Sequence, residues 1–148
     1  MLHRQVCFLV LCALVVIAVG CGRDPNLPPL VPVTGTITLN GKPVEGASVS
    51  FIPVGTTRGN GATGYTKAEG KYELVAPGGD KGVPVGEYRV TVSKLVNPDG
   101  SPYSGESGLA PMDSPAKEVL PPRYCDFDQT VLKATVPEGG SDSLDFSL

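Results

Sequence analysis

Val33 to Phe51 reads VTGTITLNGKPVEGASVSF, two alternating halves either side of an Asn40-Gly41 pair. In the first half Val33, Gly35, Ile37 and Leu39 fall on one side and threonines on the other; in the second, Ala47, Val49 and Phe51 oppose Ser48 and Ser50. Successive side chains of a β-strand point to opposite faces, so this alternation describes strands with one buried and one wet face. Asn-Gly accepts positive φ at both central positions of a type I′ turn, which predicts a hairpin between the first two strands.

The same pattern extends outward along the chain. Tyr72 and Leu74 alternate in KYELVA, Tyr88, Val90 and Val92 in GEYRVTV, Leu132, Ala134 and Val136 in TVLKATV, and Leu144, Phe146 and Leu148 in SLDFSL. Turn residues stand between these runs: Glu69-Gly70 before Tyr72, and Glu138-Gly139-Gly140 before the last strand. The chain is rich in glycine and proline, 19 and 15 of 148 residues, yet no proline interrupts a strand-like run. That placement favours folded strands over disorder, because proline cannot donate to a ladder. No segment keeps an apolar stripe of helical period for three turns. The expectation is an all-β, antiparallel sandwich of about seven strands, immunoglobulin-like or prealbumin-like in size and spacing.

Before this domain the chain has a different character. Val6 to Val19 is an unbroken apolar run after a start carrying His3 and Arg4, the form of a signal peptide. As a helix it reaches about 21 Å, short of the roughly 30 Å hydrocarbon core. Ala18, Val19 and Gly20 then precede Cys21 and resemble a bacterial lipobox, although Leu is usual where Ala18 stands. Residues 1–20 are accordingly expected to be a lipoprotein signal peptide and Cys21 the lipidated N-terminus. Residues 21–31, rich in proline, form an extended tether, and 32–148 the sandwich, with a long loop over 96–128. Removing the leader also removes Cys7, Cys12 and His3, leaving Cys125 as the one thiol besides Cys21 and no histidine at all. The Ser-His, Cys-His and histidine-metal arrangements are thereby excluded from the mature chain. A net charge of −3 leaves no electrostatic footprint for nucleic acid.

The order of VTGTITLNGKPVEGASVSFIP, TGYTKAEGKYEL and PVGEYRVTV is similar to the carboxypeptidase regulatory-like, or transthyretin-like, family. The residues that carry the likeness are Val33, Gly35, Ile37, Gly41, Pro43, Gly46, Ala47, Val49, Thr66, Ala68, Gly70, Tyr72, Pro84, Gly86, Tyr88 and Val90. The C-terminal stretch from Leu120 also resembles the ending of short planctomycete-type envelope lipoproteins. The resemblance implies a prealbumin-like sandwich that is not itself catalytic, and it carries over no ligand or partner.

Chemical motifs are few. Gly59, Gly61 and Gly64 spell G-x-G-x-x-G, but a turn and a strand follow where a dinucleotide site needs a helix, so no cofactor is expected. Ser114 to Lys117 spells S-x-x-K without the K-T-G partner element of penicillin-interacting enzymes. Asp126 and Asp128, with Asp99 and Asp113 nearby in sequence, offer oxygen ligands but not calcium-loop spacing, and no metal is expected. Asn97 to Arg123 is longer than the roughly 12–15 residues usual for a loop, a length that marks either a functional or a mobile segment. Tyr103, Tyr124, Asp126 and Asp128 are the candidate binding residues of the whole 96–128 loop. Cys125 reads as a small buried residue, with pairing to another chain as the alternative. The expected role is a non-catalytic lipoprotein, held in a bacterial envelope by its N-terminal lipid, at the outer membrane or a periplasmic face. It would display the sandwich to an envelope protein or glycan. The alternatives are a self-associating structural component and a small hydrolase or metal-dependent enzyme built on the long loop.

Overall fold

Each alternating run becomes a strand that buries the face its apolar parity predicts. The structure, a computed structural model, describes residues 27–103 and 113–148. The leader 1–20, Cys21 and the first part of the tether lie outside the described residues, as does 104–112 of the long loop. In chain order the strands are β1 (Leu30–Val31), β2 (Thr34–Leu39), β3 (Lys42–Pro43), β4 (Ser48–Pro53), β5 (Ala62–Tyr65) and β6 (Lys71–Glu73). They continue with β7 (Val83–Pro84), β8 (Gly86–Ser93), β9 (Leu95–Val96), β10 (Lys117–Glu118), β11 (Lys133–Val136) and β12 (Phe146–Ser147). The fold is an all-β sandwich of open, largely antiparallel sheets.

One layer has the strand order β11-β8-β4-β5 and is antiparallel throughout. The other is built on β2, which pairs with β3, β6 and β12. The layers meet at one corner: β5 pairs with β4, while the chain just beyond β6 returns to it through a two-way bond between Thr63 and Val75. Between the layers lie Val33, Ile37, Val49, Phe51, Leu74, Val83, Tyr88, Val90, Val92 and Val136, all essentially inaccessible to water. Burying each of these side chains contributes about 1.5–3 kcal/mol against conformational entropy.

Three details differ from the sequence expectation. Asn40 and Gly41 do make the turn, with φ of 50° and 77°, but the returning strand is β3 rather than the Ala47–Phe51 run. The ladder continues as far as the Val44 amide, which donates to the Ile37 carbonyl; Gly46, at φ 71°, then turns the chain across to the opposite layer. The second difference is β12, which lies parallel to β2 although antiparallel pairing was expected throughout. Amide bonds from Thr34 to Ser141, Leu144 to Thr34 and Leu148 to Thr38 carry this parallel contact along the whole of β2. Ordered pairing also begins at Leu30 and Val31, within the stretch read as tether.

Gly35 permits the parallel closure. A Cβ on Gly35 would drive into the backbone carbonyl of Leu144 and also touch the Tyr72 ring, whereas one on Gly78 would meet open space. Gly35→Ala is therefore expected to lower unfolding free energy by about 2 kcal/mol or more, and Gly78→Ala to change it by less than about 0.5 kcal/mol. Urea titrations of both variants check this; equal midpoints would show that Gly35 is not a packing constraint.

Candidate functional site

The described parts of the 96–128 segment are less loop-like than their composition suggests. β9 and β10 pair antiparallel at its base, with Leu95 opposite Glu118 and Val96 opposite Lys117. Asn97 to Ser101 closes a tight turn, in which Asp99 Oδ1 accepts the Ser101 amide at 2.9 Å and its hydroxyl at 2.7 Å. These two bonds hold the Asp99 carboxyl below its ordinary pKa. At the far end, Pro122–Cys125 makes one helical turn that opens on Pro122, whose fixed φ suits the first helical position.

Glu118 holds the base together. Its Oε2 accepts from Ser93 Oγ at 2.5 Å, and its Oε1 accepts the amides of Lys94 at 3.0 Å and Leu120 at 2.8 Å. One carboxylate thus ties the end of β8 to the chain leaving β10, and Leu120 goes into the core. Sequence reasoning missed Glu118. A charged residue in a proline-rich stretch resembles solvent-facing loop, and only the tertiary pairing makes it an acceptor of three bonds.

The four predicted binding residues have different surroundings. Tyr124 is 7% exposed and belongs to the core, so it offers no contact face, contrary to its reading as a recognition aromatic. The single helical turn points it inward. Tyr103 is half-buried, and its amide donates to the Leu95 carbonyl. Asp126 accepts the amides of Asp128 and Gln129 through Oδ1, at 2.8 and 3.1 Å, so it shapes a turn. Asp128 is exposed at that turn. Among the described residues no three His, Cys, Asp or Glu side chains gather as a metal site would require. Of the G-x-G-x-x-G pattern, Gly61 immediately precedes β5 and Gly64 lies within it, and the 3₁₀ turn Ala68–Gly70 leads into β6.

Cys125 is half-buried, with Sγ 3.6 Å from the Leu120 and Pro121 carbonyls. Burial first, and then the carboxylates of Glu118 and Asp126, push its thiol above the ordinary value. A thiol held protonated is a poor nucleophile at neutral pH.

On the opposite parity of β5, Thr63 and Tyr65 point outward while Ala62 and Gly64 face the core. Tyr65 is 69% exposed, a large aromatic on the wet face of the four-stranded sheet. Strand parity alone would have indicated it, since Ala62 and Gly64 are the small inward residues of that run. In comparison with known proteins, no family model, curated protein or solved structure matches the chain.

Removing the Glu118 clasp tests its weight. Glu118→Ala is expected to cost about 2 kcal/mol in a urea titration, because two backbone amides and a hydroxyl lose a charged acceptor at a partly buried site. A loss under about 0.5 kcal/mol would show the clasp to be incidental. Glu118→Gln also removes a charge that disfavours the Cys125 thiolate. At pH 8 alkylation at Cys125, followed by peptide mass spectrometry, should be slower than for an unstructured cysteine peptide and faster in Glu118→Gln than in the parent. The opposite order would contradict the electrostatic coupling.

Proposed function

We propose that this chain is a lipid-anchored protein of a bacterial envelope, which displays a non-catalytic β-sandwich for binding a protein or a glycan. The observation that carries this reading is the arrangement of the N-terminus. A leader-like apolar run ends in a lipobox-like Ala18-Val19-Gly20-Cys21, and among the described residues strand pairing starts at Leu30, after a short proline-rich stretch. With Gly22 to Pro29 extended at about 3.1 Å per residue, the sandwich stands roughly 25 Å from the acylated cysteine. Each buried acyl methylene contributes about 0.8 kcal/mol, and two or more chains hold stably where one is marginal. The outer membrane or a periplasmic face is the location this reading favours.

The resemblance to the carboxypeptidase regulatory-like family belongs to the same proposal. It draws support from the parts played by the matched residues: Gly41 in the type I′ turn, Gly35 under the C-terminal segment, and Tyr72 and Tyr88 in the core. Absence of catalysis is favoured by a long loop whose acids Glu118, Asp126 and Asp99 each accept bonds from their own chain. Self-association through edge strands has less in its favour. The edge strand β11 is only four residues long and carries Lys133 outward, a charge that discourages strand addition.

The test is chemical. Trypsin treatment of chain recovered from membranes should release Cys21-Gly22-Arg23 carrying acyl groups, and Cys21→Ser should abolish that peptide and move the protein to the soluble fraction or leave it with its leader uncut. A Cys21→Ser chain that still fractionates with membranes, processed and differing in mass only by the substitution, would refute lipid anchoring.

A further inference from the structure

We propose that the outer face of the β11-β8-β4-β5 sheet is a binding groove for a neutral oligosaccharide chain, with Tyr65 as its stacking platform. The inference rests on the display reading above and gives it a site and a ligand class. Antiparallel register sets Ser48 opposite both Tyr65 and Ser93, and Ser50 opposite both Thr63 and Thr91. These residues all have the outward parity, so the wet face of three adjacent strands is a field of hydroxyl groups. Across part of it runs a groove of about 650 Å³, lined by Tyr65, Asn60, Ser50, Thr63, Thr91 and the Pro77 wall, among others. That volume lies within the roughly 300–1,000 Å³ usual for small-ligand sites.

Three properties of the groove select its ligand. None of its lining side chains is charged, so an anionic or cationic ligand would be desolvated there without a counter-charge. The β5 backbone beside it is occupied, since Thr63 and Val75 exchange amide bonds of 3.0 and 2.9 Å; an extended peptide finds no open ladder to join. What remains for recognition is uncharged side-chain chemistry. The Tyr65 hydroxyl, the Asn60 carboxamide and the Thr91 hydroxyl make no hydrogen bond to other described residues, and the Ser50 and Thr63 hydroxyls meet only each other, at 3.4 Å. Each can still donate or accept.

A neutral sugar chain has the complementary character. Pyranose rings with equatorial substituents present a flat C–H face to an aromatic ring and a rim of hydroxyls that both donate and accept. Tyr65 offers the ring, and the Ser, Thr and Asn side chains offer partners for the rim. The sheet holds these groups at fixed spacing, because sliding β5 by one residue would turn Ala62 and Gly64 out of the core.

The experiment uses the full chain purified in detergent, with cellohexaose and chitohexaose as probes in isothermal titration. Saturable binding of at least one probe is expected. Tyr65→Ala should weaken it by about tenfold or more, Tyr65→Phe by no more than about threefold, and Asn60→Ala by an intermediate factor. Tyr103→Ala, on the long loop, should bind like the parent. Matching thermal melts of the Tyr65 variants would exclude misfolding, and Asn60→Ala supplies a second measurement at an exposed loop position. No heat with either probe, or undiminished binding by Tyr65→Ala, would overturn the groove. A binding loss confined to Tyr103→Ala would overturn it too, while leaving the display reading in place. The acylated Cys21 peptide is read independently of any sugar, so failure of the anchor and failure of the groove are separate results.

Discussion

The ring of Phe51 ties the two layers together. It sits 5.6 Å, centroid to centroid, from Tyr88 in its own sheet, and 6.4 and 6.1 Å from Tyr72 and Phe146 in the facing one. Tilted and edge-on pairs of this kind add about 0.5–1.5 kcal/mol each beyond the area they bury. β12 depends on that contact most. It is only two residues long and runs parallel, and such a strand has little stability of its own. Phe146 plugs into the aromatic cluster, and Gly35 lets the backbone around Leu144 close over β2.

The two core tyrosines place their polar ends where the backbone needs donors. Tyr72 Oη donates to the Leu144 carbonyl and Tyr88 Oη to the Pro84 carbonyl, both at 2.6 Å. Burial pushes the Tyr88 phenol up to about 12 and raises that of Tyr72 further, with Asp145 adding to the latter, so both stay neutral donors at any physiological pH. The Tyr88 bond reaches back four residues to hold the chain entering β8, as a tyrosine corner does in other sandwiches. Among the described residues no buried side-chain polar atom lacks a partner. The two phenols thus serve the fold, each satisfying a backbone carbonyl.

How much of this was legible follows from how local each signal is. Period-two alternation lies within a few residues, so Val33 to Leu39, Ala47 to Phe51 and Tyr88 to Val92 announced both their strands and their buried faces. The Asn40-Gly41 turn was legible for the same reason, but its returning partner was not, because Gly46 diverts the chain immediately afterwards. Parallel pairing of β12 with β2 joins residues more than a hundred positions apart, and no spacing in SLDFSL encodes it. Tyr124 was misread because one helical turn is too short to show an apolar stripe, leaving an inward tyrosine that looks like a loop aromatic. Asp126 and Glu118 carry the same lesson: a carboxylate in a sequence is a ligand, a cap or a clasp depending on which amides the fold brings to it.

The sheet and the long segment therefore differ in what their polar groups are free to do. Among the described residues of the 96–128 segment there is little regular ladder, so side chains satisfy the backbone: Asp99, Glu118 and Asp126 together accept five amides. A side chain engaged in that way can recognise a ligand only by giving up a bond that shapes its own loop. In the sheet the ladder satisfies the backbone, and the wet face keeps groups such as the Tyr65 and Thr91 hydroxyls that make no bond to other described residues. Their positions are nevertheless exact consequences of the core, since the register that buries Phe51 and Val90 is the one that sets Ser50 against Thr91. Recognition on such a face inherits its rigidity from packing on the other side of the same strands, which lowers the ordering cost of binding. A preorganised surface that keeps unengaged hydroxyls is a stronger place to look for function than the acids Asp99, Glu118 and Asp126, which already serve as acceptors within their own segment.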